Sequence, residues 1–215
     1  MPDEGEVLAT RVAWLELAEE RRLVREGYEL LDEKRMLLAA EIMRQLAAHA
    51  ALSARITEAS AAARAAAAAA FAACGCDGLA AEPPRRLDGA PLTIETRPYL
   101  GITLATATVD AGDAPPAHAP LLPVPEVRAC AAAHLAILRT AAETAACAGN
   151  LRRLAAEYAR TERRARALEN VVLPEVDATL RRIEEQLDAV DQEEAVRVRN
   201  AVRPGPAGGA VAAAQ

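Results

Sequence analysis

Apolar residues recur at helical spacing through the first third of the chain. Four of them lie seven residues apart: Leu17, Val24, Leu31 and Leu38. This repeat is typical of a coiled-coil seam. Between residues 7 and 74 there is no proline, and Gly27 is the only glycine. The pattern predicts an N-terminal coiled-coil helix over residues 6–74, roughly 100 Å long at about 1.5 Å per residue, which ends at the glycines that follow it.

A second apolar repeat predicts a C-terminal coiled-coil helix over residues 125–202. Pro125 suits the first helical position, where a missing N–H costs nothing. Further along, Val172, Val176 and Leu180 follow one another at two successive spacings of four. Such a stutter locally unwinds a left-handed supercoil. Pro174 falls at the same place and removes a helical hydrogen bond, so we expect a bend there.

The segment between the two predicted helices, residues 77–124, is rich in proline and cannot hold a long helix. Within it, residues 92–96 and 102–109 alternate small polar and apolar side chains and are rich in threonine, isoleucine and valine. This alternation predicts a short β-hairpin. The last segment, residues 203–215, consists mostly of glycine and alanine, and we expect it to be disordered.

Composition favours a thin helical fold over a globule. Aromatic residues make up 2% of the chain, and alanine dominates the 52% that is hydrophobic. Alanine has the highest helix propensity but buries little area. The expected fold class is therefore all-α, a long antiparallel two-helix coiled coil formed by the N- and C-terminal helices, with a Pro-rich connection that holds a short β-hairpin.

Charge and hydropathy limit the classes of partner. A net charge of −6 argues against nucleic acid, since neutralising phosphates needs an excess of Lys and Arg. The acidic start lacks the positive charge of a signal peptide. The most apolar stretch is alanine, which is too weakly apolar to drive membrane insertion. We therefore expect a cytoplasmic protein with no direct membrane insertion and with reduced cysteines.

Candidate chemistry is sparse. The chain has no phosphate-cradling glycine loop before a helix, no paired-histidine metal motif and no Gly-x-Ser-x-Gly elbow. We therefore expect no catalytic residue and no cofactor. One metal hypothesis stays open, a Cys3His zinc set at the hairpin end of the coiled coil, with these members: Cys74, Cys76, Cys130 and His134. The alternative is that these cysteines are small packing residues that replace alanine.

Charged residues are segregated along the second helix. Residues 151–166 contain six arginines against two glutamates, whereas residues 168–194 contain nine acidic residues against two arginines. Bands of this kind are usual on a solvated face, but they also fit charged rings on an encircling partner. Lys34 is the only lysine of the chain. It is either a chance survivor of a bias towards arginine or a place where a compact ammonium is required.

Two short motifs, one in each predicted helix, go beyond coiled-coil periodicity. The first reads Gly27-Tyr28-x-Leu30-Leu31-x-x-Lys34-Arg35-x-x-Leu38. The second reads Arg163-Arg164-x-x-Ala167-Leu168-Glu169-x-x-x-Leu173-Pro174. They resemble the N-terminal signature and the C-terminal Arg-Arg-Val-Asn-Ala-Leu-Glu motif of the D subunits of V-type and archaeal-type rotary ATPases. The resemblance covers both helices in the same order and separation, although Ala165 and Arg166 stand where that family has Val-Asn.

The resemblance implies that this chain has a mechanical role and carries out no catalysis. The D subunit is the central rotor shaft, which enters the hexamer of catalytic A and B subunits. It also binds the small F subunit and couples to the membrane rotor through the C subunit, which is also called d. By resemblance, this chain would be a non-catalytic part of a proton- or sodium-translocating ATPase, cytoplasmic and peripheral to the membrane. The residues expected to contact partners are Gly27, Tyr28, Lys34, Arg35, Arg163, Arg164, Arg166, Leu168, Glu169 and Pro174.

Two other classes also have two long helices. A free-standing coiled-coil scaffold or chaperone explains the periodicity but not the paired motifs. The gamma shaft of F-type ATP synthases carries an α/β domain between its helices, and the connecting segment here is short and shows no βαβ pattern. The rotor shaft of V-type or archaeal type is thus the favoured interpretation.

Overall fold

A computed structural model of the chain describes residues 10–81, 92–110 and 124–202. Its elements, in chain order, are helix α1 (Arg11–Ala81), strands β1 (Leu92–Tyr99) and β2 (Ile102–Val109), helix α2 (Pro125–Ala167), a π-helical turn (Leu168–Val172) and helix α3 (Leu173–Val202). The predicted fold class, long paired helices with a small antiparallel hairpin in the connection, is confirmed. The expectation of a disordered tail concerns residues outside the described ranges.

Contacts divide the chain into two compact units. Unit 1 comprises Met1–Asp32 and Arg163–Gln215, and unit 2 comprises Glu33–Glu162. In unit 2 the two helices run antiparallel, because partners of increasing number on α1 meet residues of decreasing number on α2: Lys34 with Glu157, Gln45 with Cys147, and Arg55 with Glu143. In unit 1, α1 and α3 are antiparallel by the same criterion.

Helix α1 has a defined start and an interruption near its end. The side chain of Thr10 accepts a hydrogen bond from the Ala13 N–H at 3.1 Å, which satisfies a donor that the first turn leaves unpaired. At Gly75 the backbone leaves the helical region (φ 65°, ψ −176°), and helical turns resume as far as Ala81. Gly75 was expected to end the helix; in the structure it kinks α1, since only glycine tolerates this conformation without strain.

The hairpin pairs all eight residues of each strand, from Leu92 with Val109 to Tyr99 with Ile102. Its turn consists of Leu100 (φ 48°) and Gly101 (φ 91°), a pair of positive φ values that matches the twist of two-residue hairpins. Strand β1 is almost wholly exposed, whereas β2 buries Leu104 and Ala107. The hairpin therefore contacts the helices chiefly through β2.

The buried seam of α2 is largely polar or small. Leu154 is completely buried, but most of its companions on the seam are not large apolar residues: Thr140, Cys147, Asn150, Glu157 and Thr161. Thr140 satisfies its hydroxyl by donating to the carbonyl of Ala136, one turn back. The seam thus combines close helix approach with specific polar contacts.

The predicted stutter and bend near Pro174 take a definite form in the structure. Residues Leu168–Val172 form a π-turn, and the N–H of Leu173 donates to the carbonyl of Leu168. A regular α-helix would pair the N–H of residue 174 with the carbonyl of Asn170, but proline has no N–H and its ring collides with that carbonyl. The wider turn removes the collision without ending the helix. Further along α3, Val190 is exposed although it lies three residues after half-buried Leu187.

One described helix is long and apolar enough to cross a membrane by composition. It is the Arg11–Leu79 part of α1, whose most apolar stretch is mostly exposed. The apolar character of this stretch comes mainly from alanine. Alanine adds little to the free energy of membrane insertion, unlike Leu, Ile, Val or Phe.

Candidate functional site

Within unit 2, the hairpin docks on α1 and α2 through a small apolar core. Leu38 of α1, Leu104 of β2 and Leu154 of α2 are buried together. Other apolar residues pack around them: Ile42, Tyr99, Leu100, Ile102 and Tyr158. Three of these belong to the hairpin turn and the strand ends beside it, so the tip of the hairpin lies against both helices.

Lys34 lies next to this core and is part of an ion-pair network. Its ammonium nitrogen donates to Glu157 Oε1 at 2.6 Å, and Arg160 donates to Glu157 Oε2 at 3.0 Å. The Glu157 side chain is only 9% exposed. A Cβ added to Gly101 would lie 3.8 Å from the Lys34 nitrogen, so the hairpin turn covers the pair. A buried carboxylate requires such partners, because an uncompensated buried charge is costly.

Asn150 holds the edge of strand β2. Its amide oxygen accepts from the Ala105 N–H at 2.8 Å, and its amide nitrogen donates to the Ala105 carbonyl at 2.8 Å. The side chain thus replaces one residue of a neighbouring strand. Arg153 also donates to the Asn150 amide oxygen, at 2.6 Å. This arrangement satisfies the backbone of β2 at the edge that faces α2.

Glu41 is the centre of a second polar cluster. Arg44 donates to both of its oxygens, and Gln45 donates to Oε1 at 2.9 Å. Arg97 of β1 approaches the same carboxylate at 3.5 Å. The hydrogen bond from Arg44 is the main cause of a Glu41 pKa below its ordinary value; burial opposes it. The cluster lines a polar cleft of about 680 Å³ between the hairpin and the helices.

In unit 1, α1 and α3 are joined by polar contacts across their seam. The Trp14 indole donates to Glu184 at 2.9 Å, Arg21 pairs with Asp177 at 2.6 Å, and Arg11 pairs with Asp191 at 3.1 Å. Beneath them, the buried residues of α3 are Val176, Leu180 and Ile183. These contacts fix which faces of α1 and α3 meet.

The structure brings together some of the predicted partner-contact residues. A Cβ on Gly27 would lie 3.9 Å from Leu168 Cδ1, so the two motifs meet at this level. Tyr28 and Arg35 are half-buried on α1, and Lys34 is engaged by Glu157 within the chain. The exposed members of the set lie on the C-terminal helices: Arg163, Arg164, Arg166, Glu169 and Pro174.

Unit 1 also exposes large apolar side chains on α1. These residues are Val12, Leu15, Leu23 and Leu30, each at least 57% exposed. Leu23 and Leu30 are seven residues apart, so they lie on one face of the helix, and the seam residues Leu17, Val24 and Leu31 lie on another. We call this set of four residues the outer stripe. An exposed row of leucines is a feature of surfaces that contact other proteins.

The zinc hypothesis finds no support among the described residues. No group of three or more His, Cys, Asp or Glu side chains there could hold a metal ion. The ring nitrogen Nδ1 of His134 lies 2.8 Å from the carbonyl oxygen of Cys130, within one helical turn. Cys74 donates to the carbonyl of Ala70, again within its own helix. All four cysteines are free thiols.

Three important side chains are not distinguished by the apolar repeat: Glu41, Asn150 and Glu157. Each occupies a seam position, but a search for large apolar residues passes over it. Glycine and asparagine both lower helix propensity relative to alanine, yet Asn150, which follows Gly149, anchors the hairpin. For the two residues of α2, spacing was the sequence signal that could have revealed a buried position. Buried residues of α2 follow one another at intervals of three and four: Asn150, Leu154, Glu157 and Thr161.

Comparisons with known proteins agree with the two motifs. A family model described as the D subunit of ATP synthase matches residues 13–202. The V-type ATP synthase D subunit of Anaeromyxobacter dehalogenans (strain 2CP-C) is 33% identical over 206 residues, covering 92% of this chain and 97% of that protein. The same protein of Anaeromyxobacter sp. (strain K) is 32% identical over the same length. The chain therefore belongs to the ATP synthase D-subunit family, whose members are central-stalk components of rotary ATPases.

Proposed function

We propose that this chain is the rotor shaft of a V-type or archaeal-type ATPase and that it transmits torque between the catalytic hexamer and the membrane rotor. Family membership carries the proposal. The antiparallel helix pairs support it, because two packed helices resist bending and twisting better than one. The polar contacts across each seam fix the relative rotation of the helices, which a torque-bearing element requires.

The hexamer of A and B subunits is the partner that we assign to unit 1. The outer stripe offers apolar contact area on α1, and the exposed Arg163, Arg164 and Glu169 offer charged contacts on the other helices. The F subunit and the C (or d) subunit of the membrane rotor would bind elsewhere on the chain. Contacts with charged rings inside a hexamer would act through complementary electrostatics, which sets orientation more than affinity.

The chain itself would carry out no catalysis. Two buried carboxylates in the described part of the chain, Glu41 and Glu157, are neutralised by arginine and lysine within the chain and serve the packing of the hairpin. Nucleotide chemistry would belong to the A subunits. The chain would be cytoplasmic and attached to the membrane only through its partners, since the apolar window of α1 is made chiefly of alanine.

The decisive experiment is assembly with tagged A and B subunits. The full chain should be recovered with a nucleotide-binding hexamer, and the double variant Leu23→Glu/Leu30→Glu should be recovered much less, by about tenfold or more. Leu46→Glu in unit 2 is the matched control, since Leu46 is also an exposed leucine of α1. Thermal unfolding of each isolated variant would check that the fold is intact.

Three results would contradict the proposal. One is isolation of the chain only as a homodimer, which would favour a free-standing coiled-coil scaffold. Another is equal recovery of the hexamer by the outer-stripe variant and by wild type. The third is an ATPase rate of the reconstituted complex that does not change when the chain is truncated after Arg160.

A further inference from the structure

The buried face of α2 follows a seven-residue repeat as far as the π-turn. Its buried or half-buried members at this spacing are Thr140, Cys147, Leu154, Thr161 and Leu168. The same repeat predicts that residues 175 and 182 face the neighbouring helix. These are Glu175 and Arg182, and both are exposed. The next residue in each case is buried: Val176 and Ile183.

The repeat therefore slips by one residue between Leu168 and Val176. The π-turn occupies this interval. Its hydrogen bond spans five residues instead of the four of an α-helix, so the turn contains one extra residue. A wide turn is the way in which a continuous helix absorbs a single inserted residue. Pro174 favours the wide turn at this place, because proline disrupts the α-helical bond to Asn170.

The opposite helix is also weakened at this level. Leu168, the first residue of the π-turn, faces Gly27, and no side chain fills the position on α1. Glycine has more backbone freedom than any other residue. The π-turn itself contains no buried residue, and Val171 is 51% exposed. Weak points on both helices thus lie opposite one another.

We propose that the π-turn is a one-residue insertion in the heptad repeat and that, together with Gly27, it forms a compliant joint. At this joint the paired helices bend and twist more readily than they do within α3. The inference rests on the burial pattern along α2 and α3 and on the Gly27–Leu168 contact, and it goes beyond the proposed function. It can be tested on the isolated full-length chain, so its failure would leave the rotor assignment untouched.

The test compares two single-residue deletions in a Pro174→Ala background, which removes the proline that an unbroken α-helix would not accommodate. Deletion of Val171 removes the inserted residue and should restore the repeat. Deletion of Ala178, also exposed and seven residues further on, should instead move every later residue of α3 off the seam. Trp14, the only tryptophan, reports this shift through its hydrogen bond to Glu184.

Deletion of Val171 should keep the melting temperature and the Trp14 emission of its parent. It should also slow hydrogen exchange of the amides of residues 169–175 by about tenfold or more, because an open turn is replaced by regular helix. Deletion of Ala178 should lower the melting temperature and change the Trp14 emission. If the two deletions lowered the melting temperature equally, the π-turn would not be an inserted residue. If the amides of residues 169–175 and 178–186 were equally protected from hydrogen exchange in wild type, the π-turn would not be a compliant joint.

Discussion

Lys34 shows how one side chain can serve the fold at a place where the sequence suggested a partner contact. Its ammonium group neutralises Glu157, whose side chain is almost buried, and the hairpin turn lies over the pair. This position suits a compact ammonium, since a guanidinium is larger and would need more room beneath Gly101. Lys34 therefore supports the docking of the hairpin.

Replacing Lys34 with methionine should lower the free energy of unfolding by about 2 kcal/mol, because the buried Glu157 carboxylate would lose a charged partner. Chemical denaturation would measure the change. The matching experiment is a double-mutant cycle with Glu157→Gln. A coupling energy near zero between the two positions would show that the ion pair does not stabilise the fold.

Because of Glu41, the free energy of unfolding should depend on pH in the acid range. Its pKa in the folded protein lies below the ordinary value because Arg44 donates hydrogen bonds to the carboxylate. A carboxyl group with a lowered folded pKa stabilises the protein above its unfolded pKa, about 4.3, and this contribution disappears as the pH falls through the folded value. The predicted loss therefore lies at and below about pH 4.

The Glu41→Gln variant should lose about 1 kcal/mol of stability at pH 7. Between pH 5 and pH 3 it should lose less additional stability than wild type, since it no longer has the titrating group. Thermal unfolding across this pH range is the measurement, and Glu58→Gln, at an exposed position of the same helix, is the control. Parallel pH profiles for wild type and Glu41→Gln would contradict the assignment.

At the scale of elements, the hairpin depends on α2 for its position. A two-stranded hairpin is marginally stable alone, and strand β1 is almost entirely exposed. Docking rests on the apolar core around Leu104 and on the two hydrogen bonds from Asn150 to Ala105. The backbone of β2 thus pairs with β1 on one side and with a helix side chain on the other.

Asn150→Ala should release the hairpin without unfolding the helices. Losing two hydrogen bonds to the half-buried backbone of Ala105 should weaken docking by about 2 kcal/mol, which corresponds to about thirtyfold faster exchange of protected β2 amides. Hydrogen exchange would show the effect, and far-ultraviolet circular dichroism should change little. Asn200→Ala, at an exposed position of α3, is the matched control. Unchanged exchange in β2 would refute the role given to Asn150.

At the scale of the whole molecule, some arginines form ion pairs within the chain, whereas others are exposed. The acidic α3 is partly neutralised by α1, through Arg11 and Arg21. Arg163 and Arg164 are exposed at the end of α2. If the chain acts as the shaft, these two arginines are suited to meet acidic groups of the surrounding subunits.

Charge reversal at this pair, Arg163→Glu/Arg164→Glu, should leave the stability of the isolated chain within about 0.5 kcal/mol. It should slow assembly with the A and B subunits by about tenfold at low salt, with a smaller effect at high salt. The control is the same reversal at Arg181 and Arg182, another exposed pair. Equal assembly rates for the two double variants would show that Arg163 and Arg164 are not specific contacts.

Much of the architecture follows from the sequence through local rules. Heptad spacing in the first helix, proline punctuation in the middle and Pro125 at the start of the second helix predict where helices and hairpin lie, because these patterns act over a few residues. The motifs around Lys34 and Leu168 also predicted the family. These features need no knowledge of which side chains meet.

The tertiary structure alone decided the polar interior and the helix register. Whether Asn150 or Glu157 is buried depends on what lies opposite it, Ala105 in one case and Lys34 in the other, and those partners are distant in sequence. The stutter and Pro174 predicted a bend, and the structure shows a π-turn at this place. The π-turn results because Val176 and Ile183 must be buried against α1 while Pro174 removes the regular hydrogen bond, a balance that only packing between helices can set.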